Sequence, residues 1–250
     1  MLAIARKNAI RERLQEMKSV RITELASELS VTKETIRRDL LEMEQNGELI
    51  RTHGGAYILD GVQNDIDIST RQILMISEKE IIANKVDSLI QNGDYLYLDG
   101  STTCWFIARK IAHRKLTVLT NSLEIANILS SSDTVTLHMI GGEYNAQSKS
   151  FRGEGTISNF ERYFVDKAII SCRSVSMARG ITDTSDDQAR LHQMALSHAN
   201  TRILVADHSK LDNVSFAFVA PITAINTFVM DRDFSEEWKA YLTENHIRFL

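Results

Sequence analysis

The chain has 250 residues, of which 43% are hydrophobic and 25% charged, with a formal net charge of -4. This length suits one large domain with a small companion, and the apolar share excludes a disordered chain. A mildly acidic chain is not polybasic throughout, so any nucleic-acid surface must be local.

The opening MLAIARKNAIRERLQEM is broken by Arg6, Arg11, Glu12 and Arg13, unlike the continuous apolar core of a signal peptide. Ile10, Leu14 and Met17 instead recur at helical spacing and predict a first helix with these residues inward. Thr23 is placed to cap a second helix that carries Leu25, Ala26 and Leu29 inward. Ser30 and Val31 then make a tight turn. Thr32 caps a third helix with Ile36, Leu40 and Met43 on its buried face, and Gly47 stops it. Residues 49–57, LIRTHGGAY, read as short strands around a glycine pair. From Leu59 to about Met75 the pattern loses its period. The expected division is therefore a first domain over 1–57, a linker over 58–74 and a second domain over 75–250.

Ser77 followed by Glu80 has the spacing of a capping box. It predicts a helix with Ile81, Ile82, Val86, Leu89 and Ile90 on one side, ended by Gly93. Beyond it, strand-like runs start at Tyr95, Leu116, Val135, Ala168, Arg202 and Ile225. Helical patterns alternate with them over 103–112, 123–129, 156–164, 187–199 and 236–245. The fold class this implies is α/β: a small helical head on a mostly parallel sheet covered by helices on both faces. No apolar run reaches the roughly 20 residues a membrane-spanning helix needs. Cys104 and Cys172 form no CxxC pattern, which argues against a disulfide framework or zinc site and for a reducing, cytoplasmic setting. Cys104 follows the threonines of a helix start, but no partner base accompanies it, so it reads as a packing residue.

The third helix leaves Lys33, Thr35, Arg37 and Arg38 toward solvent, as the second helix of a helix-turn-helix reader would. Arginine grips a guanine edge in bidentate fashion, and threonine serves phosphates or a thymine methyl. Arg51 and His53 follow on the hairpin, beside Gly54 and Gly55, whose bare backbone would allow close approach to a sugar-phosphate chain. Charge balance adds nothing: through Tyr57 there are ten Lys and Arg against nine Asp and Glu, a net of +1.

In open α/β sheets, ligands sit beyond the carboxyl ends of the strands. Four polar clusters fall there: Asp99 to Thr103, Thr120-Asn121-Ser122, Gly141-Gly142, and Asp207-His208-Ser209-Lys210. Each alone reads as a cap, a turn or plain surface. Together they point to one shared cleft, with an anion site at the helix start after Asp99.

The run VTKETIRRDLLEMEQNGELIRTHGGA, Val31 to Ala56, closely resembles the winged helix-turn-helix of the DeoR family of bacterial repressors. TIRRDL, an acidic residue plus Gly before the wing, and R-x-H-G-G-A in fixed register carry that likeness. It implies operator contact by Thr32, Lys33, Thr35, Arg37 and Arg38, with Arg51 and His53 from the wing. The likeness continues through D-x-x-T-T, T-N-S, G-G, D-K-A and D-x-S-K, which occur in that order in the DeoR-type sensor domain. That domain is similar in fold to ribose-5-phosphate isomerase and glucosamine-6-phosphate deaminase. The resemblance implies a repressor of a carbohydrate-utilisation operon with a phosphorylated sugar or sugar-alcohol effector. Ser101, Thr102 and Thr103 would hold the phosphate, with Asp99 also in the effector site. Asn121, Gly141, Gly142, Asp166, Asp207 and Lys210 would line the rest. The chain departs from the family at Ser101, where glycine is usual, in the glycine-free stretch Ser171 to Ser176, and at His192, often a basic residue. Arg173 in that stretch reads as a solvated surface residue.

The expected partners are double-stranded operator DNA and the phosphorylated effector, with the chain at least dimeric because such heads work in pairs on half-sites. No cofactor or metal is expected. Two alternatives stand beside this reading. One is a sugar-phosphate isomerase or deaminase with an appended head, which needs a carboxylate poised as general base; VDKAIISCRSVS, 165–176, offers Asp166 alone. The other is a regulator whose sensor no longer binds a ligand.

Overall fold

The computed structural model describes residues 2–17, 19–46, 48–51, 54–58 and 68–250, in two compact units divided between Ile76 and Ser77. The first unit contains α1 (Ala3–Met17), β1 (Ser19–Arg21), α2 (Ile22–Glu28), α3 (Lys33–Gln45), β2 (Ile50–Arg51), β3 (Gly55–Tyr57) and α4 (Ile68–Ile73). Its core gathers Ile10 and Leu14 from α1, Leu25 and Ala26 from α2, and Ile36, Leu40 and Met43 from α3. Met17, expected inward, is exposed, because α1 ends there and the chain turns into β1. The cap of α2 is Arg21 rather than Thr23, since β1 runs directly into the helix. Thr32 caps α3 as its sequence position predicts, its hydroxyl accepting the Thr35 N–H at 3.2 Å. Gly47 lies outside the described residues.

The wing is a three-stranded antiparallel sheet in the order β1-β3-β2. Sequence reading finds its two later strands but not β1, which is three residues long. Gly55 is needed for this sheet: a Cβ there would lie 1.9 Å from the Val20 carbonyl oxygen. The packing of β1, rather than a nucleic-acid backbone, thus accounts for that glycine. Most of the expected linker, 59–67, lies outside the described residues, and its later part forms α4.

The second unit takes in α5 (Ile76–Asp87) from Ser77 onward. It continues through β4 (Tyr95–Leu98), α6 (Thr102–Ile111), β5 (Leu116–Thr120), α7 (Leu123–Leu129) and β6 (Val135–Met139). Then come the hairpin β7 (Glu143–Asn145) and β8 (Ser150–Arg152), α8 (Glu154–Phe160), β9 (Val165–Ile170), β10 (Ser174–Ser176) and β11 (Gly180–Asp183). The chain closes with α9 (Asp186–Ser197), β12 (Ala199–Ala206), β13 (Ala217–Ala220), β14 (Thr227–Met230), α10 (Glu236–Glu244) and β15 (Arg248–Phe249). Ser77, read as the cap of α5, lies inside that helix, which starts one residue earlier. Ile81, expected inward, is exposed, while Lys79, Ile82, Ala83 and Val86 form the buried stripe.

Seven parallel strands make the central sheet, in the order β15-β14-β12-β9-β4-β5-β6. The inner strands β14, β12, β9, β4 and β5 bury their apolar runs on both sides, as parallel strands require, whereas the edge strand β6 is largely open. One core pairs Ala168, Ile170 and Leu204 with α9 and α10; the other pairs Ile169, Ile203 and Val205 with α5 and α6. From β4 the chain winds outward through β5 and β6; from β9 it winds the opposite way through β12, β14 and β15. The switch point lies between β4 and β9, and open sheets bind ligands at such a crevice. A small antiparallel sheet, β10-β11-β13, flanks α9.

Candidate functional site

In the first unit, α3 exposes Thr32, Lys33, Arg37 and Arg38, with Thr35 partly buried, while Ile36, Leu40 and Met43 are fully withdrawn. Thr32 and Thr35 share a hydroxyl contact of 2.9 Å, which spends both on the helix start. Arg37 reaches Glu34 at 3.1 Å, whereas Lys33 and Arg38 have no ion pair among the described residues. Asp39, an acid within the arginine-rich stretch, is not on the solvent face. It is buried against Arg6 of α1, whose Nη2 donates to Asp39 Oδ1 at 2.9 Å while Nε makes a second, shorter contact. Lys7–Glu42 and Arg11–Glu48 extend this ladder. Arg51 donates to Glu44 through Nε (2.7 Å) and its backbone N–H (2.9 Å), so it ties the wing to α3. Burial pushes the Glu44 carboxyl up, but the Arg51 bonds outweigh this and hold it below its ordinary value. His53 lies outside the described residues.

In the second unit, Asp99 stands directly after β4 at the switch point, buried. Its Oδ1 accepts the Ser101 N–H at 3.0 Å and its Oδ2 the Ser171 N–H at 2.7 Å, joining the loops after β4 and β9. His192 Nε2 lies 3.1 Å from Asp99 Oδ2 and 2.7 Å from the Gln188 side-chain amide. Its Nδ1 is buried without a hydrogen bond, 3.5 Å from Asp183 Oδ2. Burial alone would raise the Asp99 carboxyl; the His192, Ser101 and Ser171 bonds overcome that and hold it at about 2. Burial opposes charge on His192, yet Asp99 and Asp183 raise it above its ordinary value.

Ser101 caps α6, its Oγ accepting the Cys104 N–H at 3.1 Å. The hydroxyl expected on a phosphate is thus already an acceptor, and the N–H groups of Thr102 and Thr103, in the first turn of a ten-residue helix, remain for an anion. Thr102 and Thr103 are buried. Cys104 is a packing residue as expected: its Sγ faces the Ile169 carbonyl at 3.4 Å, and burial pushes its thiol well up.

Asn121 is fully buried, accepting from Tyr97 Oη (3.1 Å) and donating to the Phe151 carbonyl (2.8 Å). It therefore anchors β8 over the strand ends. Gly100 lies under Ser150, whose Cβ would be 3.1 Å from an added Cβ. Gly141 and Gly142 follow β6, and a Cβ on Gly142 would meet Thr156 Oγ1 at 2.0 Å. At the end of β12, Asp207 accepts from the Ser209 N–H at 3.1 Å and stands 3.9 Å from Lys210 Nζ. Burial raises its carboxyl, but Lys210, Ser209 and Lys79 together bring it below the ordinary range.

One expected residue lies elsewhere. Asp166 is at the amino end of β9, where its Oδ2 accepts the Tyr95 N–H at 2.9 Å. Tyr95 lies four steps before Asp99 along β4, about 13 Å at the usual rise, so Asp166 stands at the wrong end of the sheet. Asp99 and Asp183 converge on His192, and Asp207 stands with Lys210 at the end of β12; the expectation that Asp166 lines the effector site is corrected. Arg173 is partly buried rather than solvated. Lys79, Asp183 and the inward aim of His192 are absent from the residues expected by sequence. A signal existed for two of them: Lys79 falls on the buried stripe of α5 with Ile82 and Val86, and His192 on that of α9 with Ala189 and Ala195.

The family model of the DeoR-like helix-turn-helix domain matches residues 6–62, and that of the DeoR C terminal sensor domain matches residues 75–232. The chain is 34% identical to the uncharacterized HTH-type transcriptional regulator YulB of Bacillus subtilis, over 92% of this chain and 90% of that one. It is 31% identical to the HTH-type transcriptional repressor GlcR of the same organism, over 97% and 93%. With the lactose phosphotransferase system repressor of Staphylococcus aureus it shares 32% identity over 88% of each chain. Among solved structures it is similar to the tetrameric eIF2B-beta2-delta2 complex from C. thermophilum, at TM-score 0.50 and 13% identity over 94% of this chain and 71% of that one. It is also similar to ribose 5-phosphate isomerase A from Methanocaldococcus jannaschii, at TM-score 0.39 and 15% identity over 53% of each chain. This chain belongs to the DeoR family of transcription regulators, with an N-terminal helix-turn-helix domain and a C-terminal sensor domain.

Proposed function

We propose that this protein is a cytoplasmic repressor of a carbohydrate-utilisation operon, working at least as a dimer, whose sensor domain binds a phosphorylated sugar or sugar alcohol. The reading rests above all on the placement of Asp99 and the α6 N-terminus at the carboxyl end of β4, and of Asp207 with Lys210 at the same end of β12, two strands away in one parallel sheet. Main-chain N–H groups at Thr102 and Thr103 offer an anion the positive end of a helix. Lys210 supplies a point charge. Asn121, Gly141 and Gly142 shape the neighbouring strand ends.

On the head, Lys33, Arg37 and Arg38 contact the operator from α3, with Thr32 and Thr35 fixing the helix start that presents them. By its place in the sequence His53 joins them, while Arg51 holds the wing to α3 through Glu44. The name of the lactose phosphotransferase system repressor adds support for sugar metabolism as the controlled process.

A panel of phosphorylated and unphosphorylated sugars titrated against the operator complex tests this. The expected outcome is that one or more phosphosugars change operator affinity while their unphosphorylated forms do not. Equal responses to both forms, or none to any phosphosugar, would refute the effector assignment.

A further inference from the structure

The hairpin of β7 and β8 is fixed at the carboxyl ends of β4 and β5. The Phe151 N–H donates to the Asn121 carbonyl at 2.9 Å, and the Leu123 N–H donates to the Lys149 carbonyl at 3.0 Å. Ser150 faces Gly100, in the loop that leads from Asp99 into α6. Arg152 stands on the same face of β8, because alternate residues of a strand point the same way. Arg152 is partly buried, and its guanidinium makes one hydrogen bond among the described residues, from Nη2 to Ser148 Oγ at 3.1 Å. Ser148 Oγ lies 2.8 Å from Ser150 Oγ, so two hydroxyls lead from the guanidinium to Gly100 and the start of α6.

Acids lie beside Arg152 without engaging it. Glu143 is its register partner across the hairpin, yet neither forms an ion pair among the described residues. Glu154, two residues on, is held by Arg190 at 2.9 Å. Lys149, the other cation of the hairpin, is taken by Glu124 at 3.0 Å. Arg152 is thus the hairpin cation left for an anion from outside, and its planar fork fits phosphate oxygens two at a time. A second observation lies beside it. Thr156 is fully buried, yet its Oγ1 has no hydrogen bond among the described residues. That oxygen aims at strand-end Gly142, where an added Cβ would lie 2.0 Å from it and 3.0 Å from the Arg152 carbonyl oxygen. A buried hydroxyl without a partner is costly, and a ligand group that bonds to it recovers that cost.

We propose that Arg152 selects for a phosphorylated effector by pairing with the phosphoryl group received at the first turn of α6, and that the Thr156 hydroxyl bonds a hydroxyl of the attached sugar. The proposal rests on the reading above of a phosphosugar sensor and names two residues of that site. Donors then reach the group from two separate elements, the main-chain N–H groups of α6 and the guanidinium of the hairpin. That arrangement suits a tetrahedral phosphoryl group with three terminal oxygens, whereas a planar carboxylate has two.

The test uses the full chain and a panel of hexose and pentose monophosphates, with aldonic acids as carboxylate counterparts. Binding is read as the concentration that gives half the rise in melting temperature. The wild type should respond to at least one phosphosugar and to no aldonic acid. For that phosphosugar, Arg152→Ala should need about ten- to a hundredfold more, as loss of a charged hydrogen bond predicts, while its ligand-free melting temperature stays unchanged. Arg152→Lys keeps the charge without the fork and should fall between the two; it also serves if the alanine variant fails to fold. Lys149→Gln, which removes the other hairpin cation, should respond as the wild type does. Thr156→Val should melt no lower than the wild type without ligand, yet need about tenfold more phosphosugar. A wild-type response in Arg152→Ala, Arg152→Lys or Thr156→Val, an equal loss in Lys149→Gln, or an equal response to aldonic acids overturns the proposal. A phosphosugar that acts alike on the wild type and Arg152→Ala does so while leaving the effector reading in place. A wild type blind to every phosphosugar overturns both.

Discussion

His192 Nε2 lies 3.1 Å from Asp99 Oδ2, and the two side chains are among the most completely buried ionisable groups of the sensor domain. One sits on α9 and the other after β4, so a single contact ties a helix to the switch point of the central sheet.

This contact makes sensor stability depend on pH from both sides. His192 is raised above its ordinary value, so its contribution is complete below the usual imidazole range and is lost as pH climbs through the raised value. Asp99 is lowered, so its contribution is complete above the usual carboxylate range and is lost as pH falls toward about 2. The denaturant midpoint of the sensor domain should accordingly fall at both ends of a pH series. His192→Leu should lower the unfolding free energy by about 3 kcal/mol, because it leaves the buried Asp99 carboxylate without its counter-charge, and should flatten the alkaline limb. A wild-type alkaline limb identical to that of the variant would contradict the pairing.

Arg38→Ala should weaken operator binding by about 1–3 kcal/mol if the side chain reads a base, or reduce the salt slope by about one if it meets a phosphate. Arg37→Ala should do the same, with a smaller loss, because Glu34 already occupies that guanidinium. Fluorescence anisotropy over a salt series separates the two cases. Unchanged affinity and slope in both variants would remove α3 as the reading helix.

Asp39→Asn and Arg6→Ala test the buried pair under α3. Asp39→Asn removes the charge that faces Arg6, and Arg6→Ala leaves the buried Asp39 carboxylate without its guanidinium, which costs about 3–5 kcal/mol in a buried setting. The head should unfold at lower denaturant, and phosphosugar binding by the sensor should be untouched. Replacing both by Met and Leu should recover much of the loss, since an apolar pair carries no desolvation penalty. Equal instability in the apolar double variant would show that specific hydrogen bonding, not charge burial, sets the cost.

Thr102→Val removes a hydroxyl at nearly constant volume in a buried position of α6. Operator affinity without effector should stay as it is, and the effector response should shrink about tenfold, as loss of a hydrogen bond to a charged group predicts. Titration calorimetry with the active phosphosugar gives the direct reading. A silent variant would place the phosphate away from the start of α6.

The sequence alone determined what is written in local signals. Thr32 and the Ile36, Leu40, Met43 stripe specify α3 because a cap and a helical period depend only on near neighbours. The runs at Tyr95 and Leu116 specify β4 and β5 because buried parallel strands are continuously apolar. The D-x-x-T-T and D-x-S-K clusters placed Asp99, Thr102, Thr103, Asp207 and Lys210 at strand ends for the same reason. β1, β10 and β11 escaped because they have only three or four residues each, too few to show a period. Which polar residues meet was decided by strand order. Asp166 and Ser171 bracket the same strand, yet only the residue at its carboxyl end reaches Asp99. Asp183 and His192 arrive from a small side sheet and from α9, about 84 and 93 positions after Asp99 in a chain whose contacts at such range follow from topology. Their mutual contacts then set their charge states against the burial that opposes them: Asp99 and Asp183 raise His192, and His192 helps to lower Asp99.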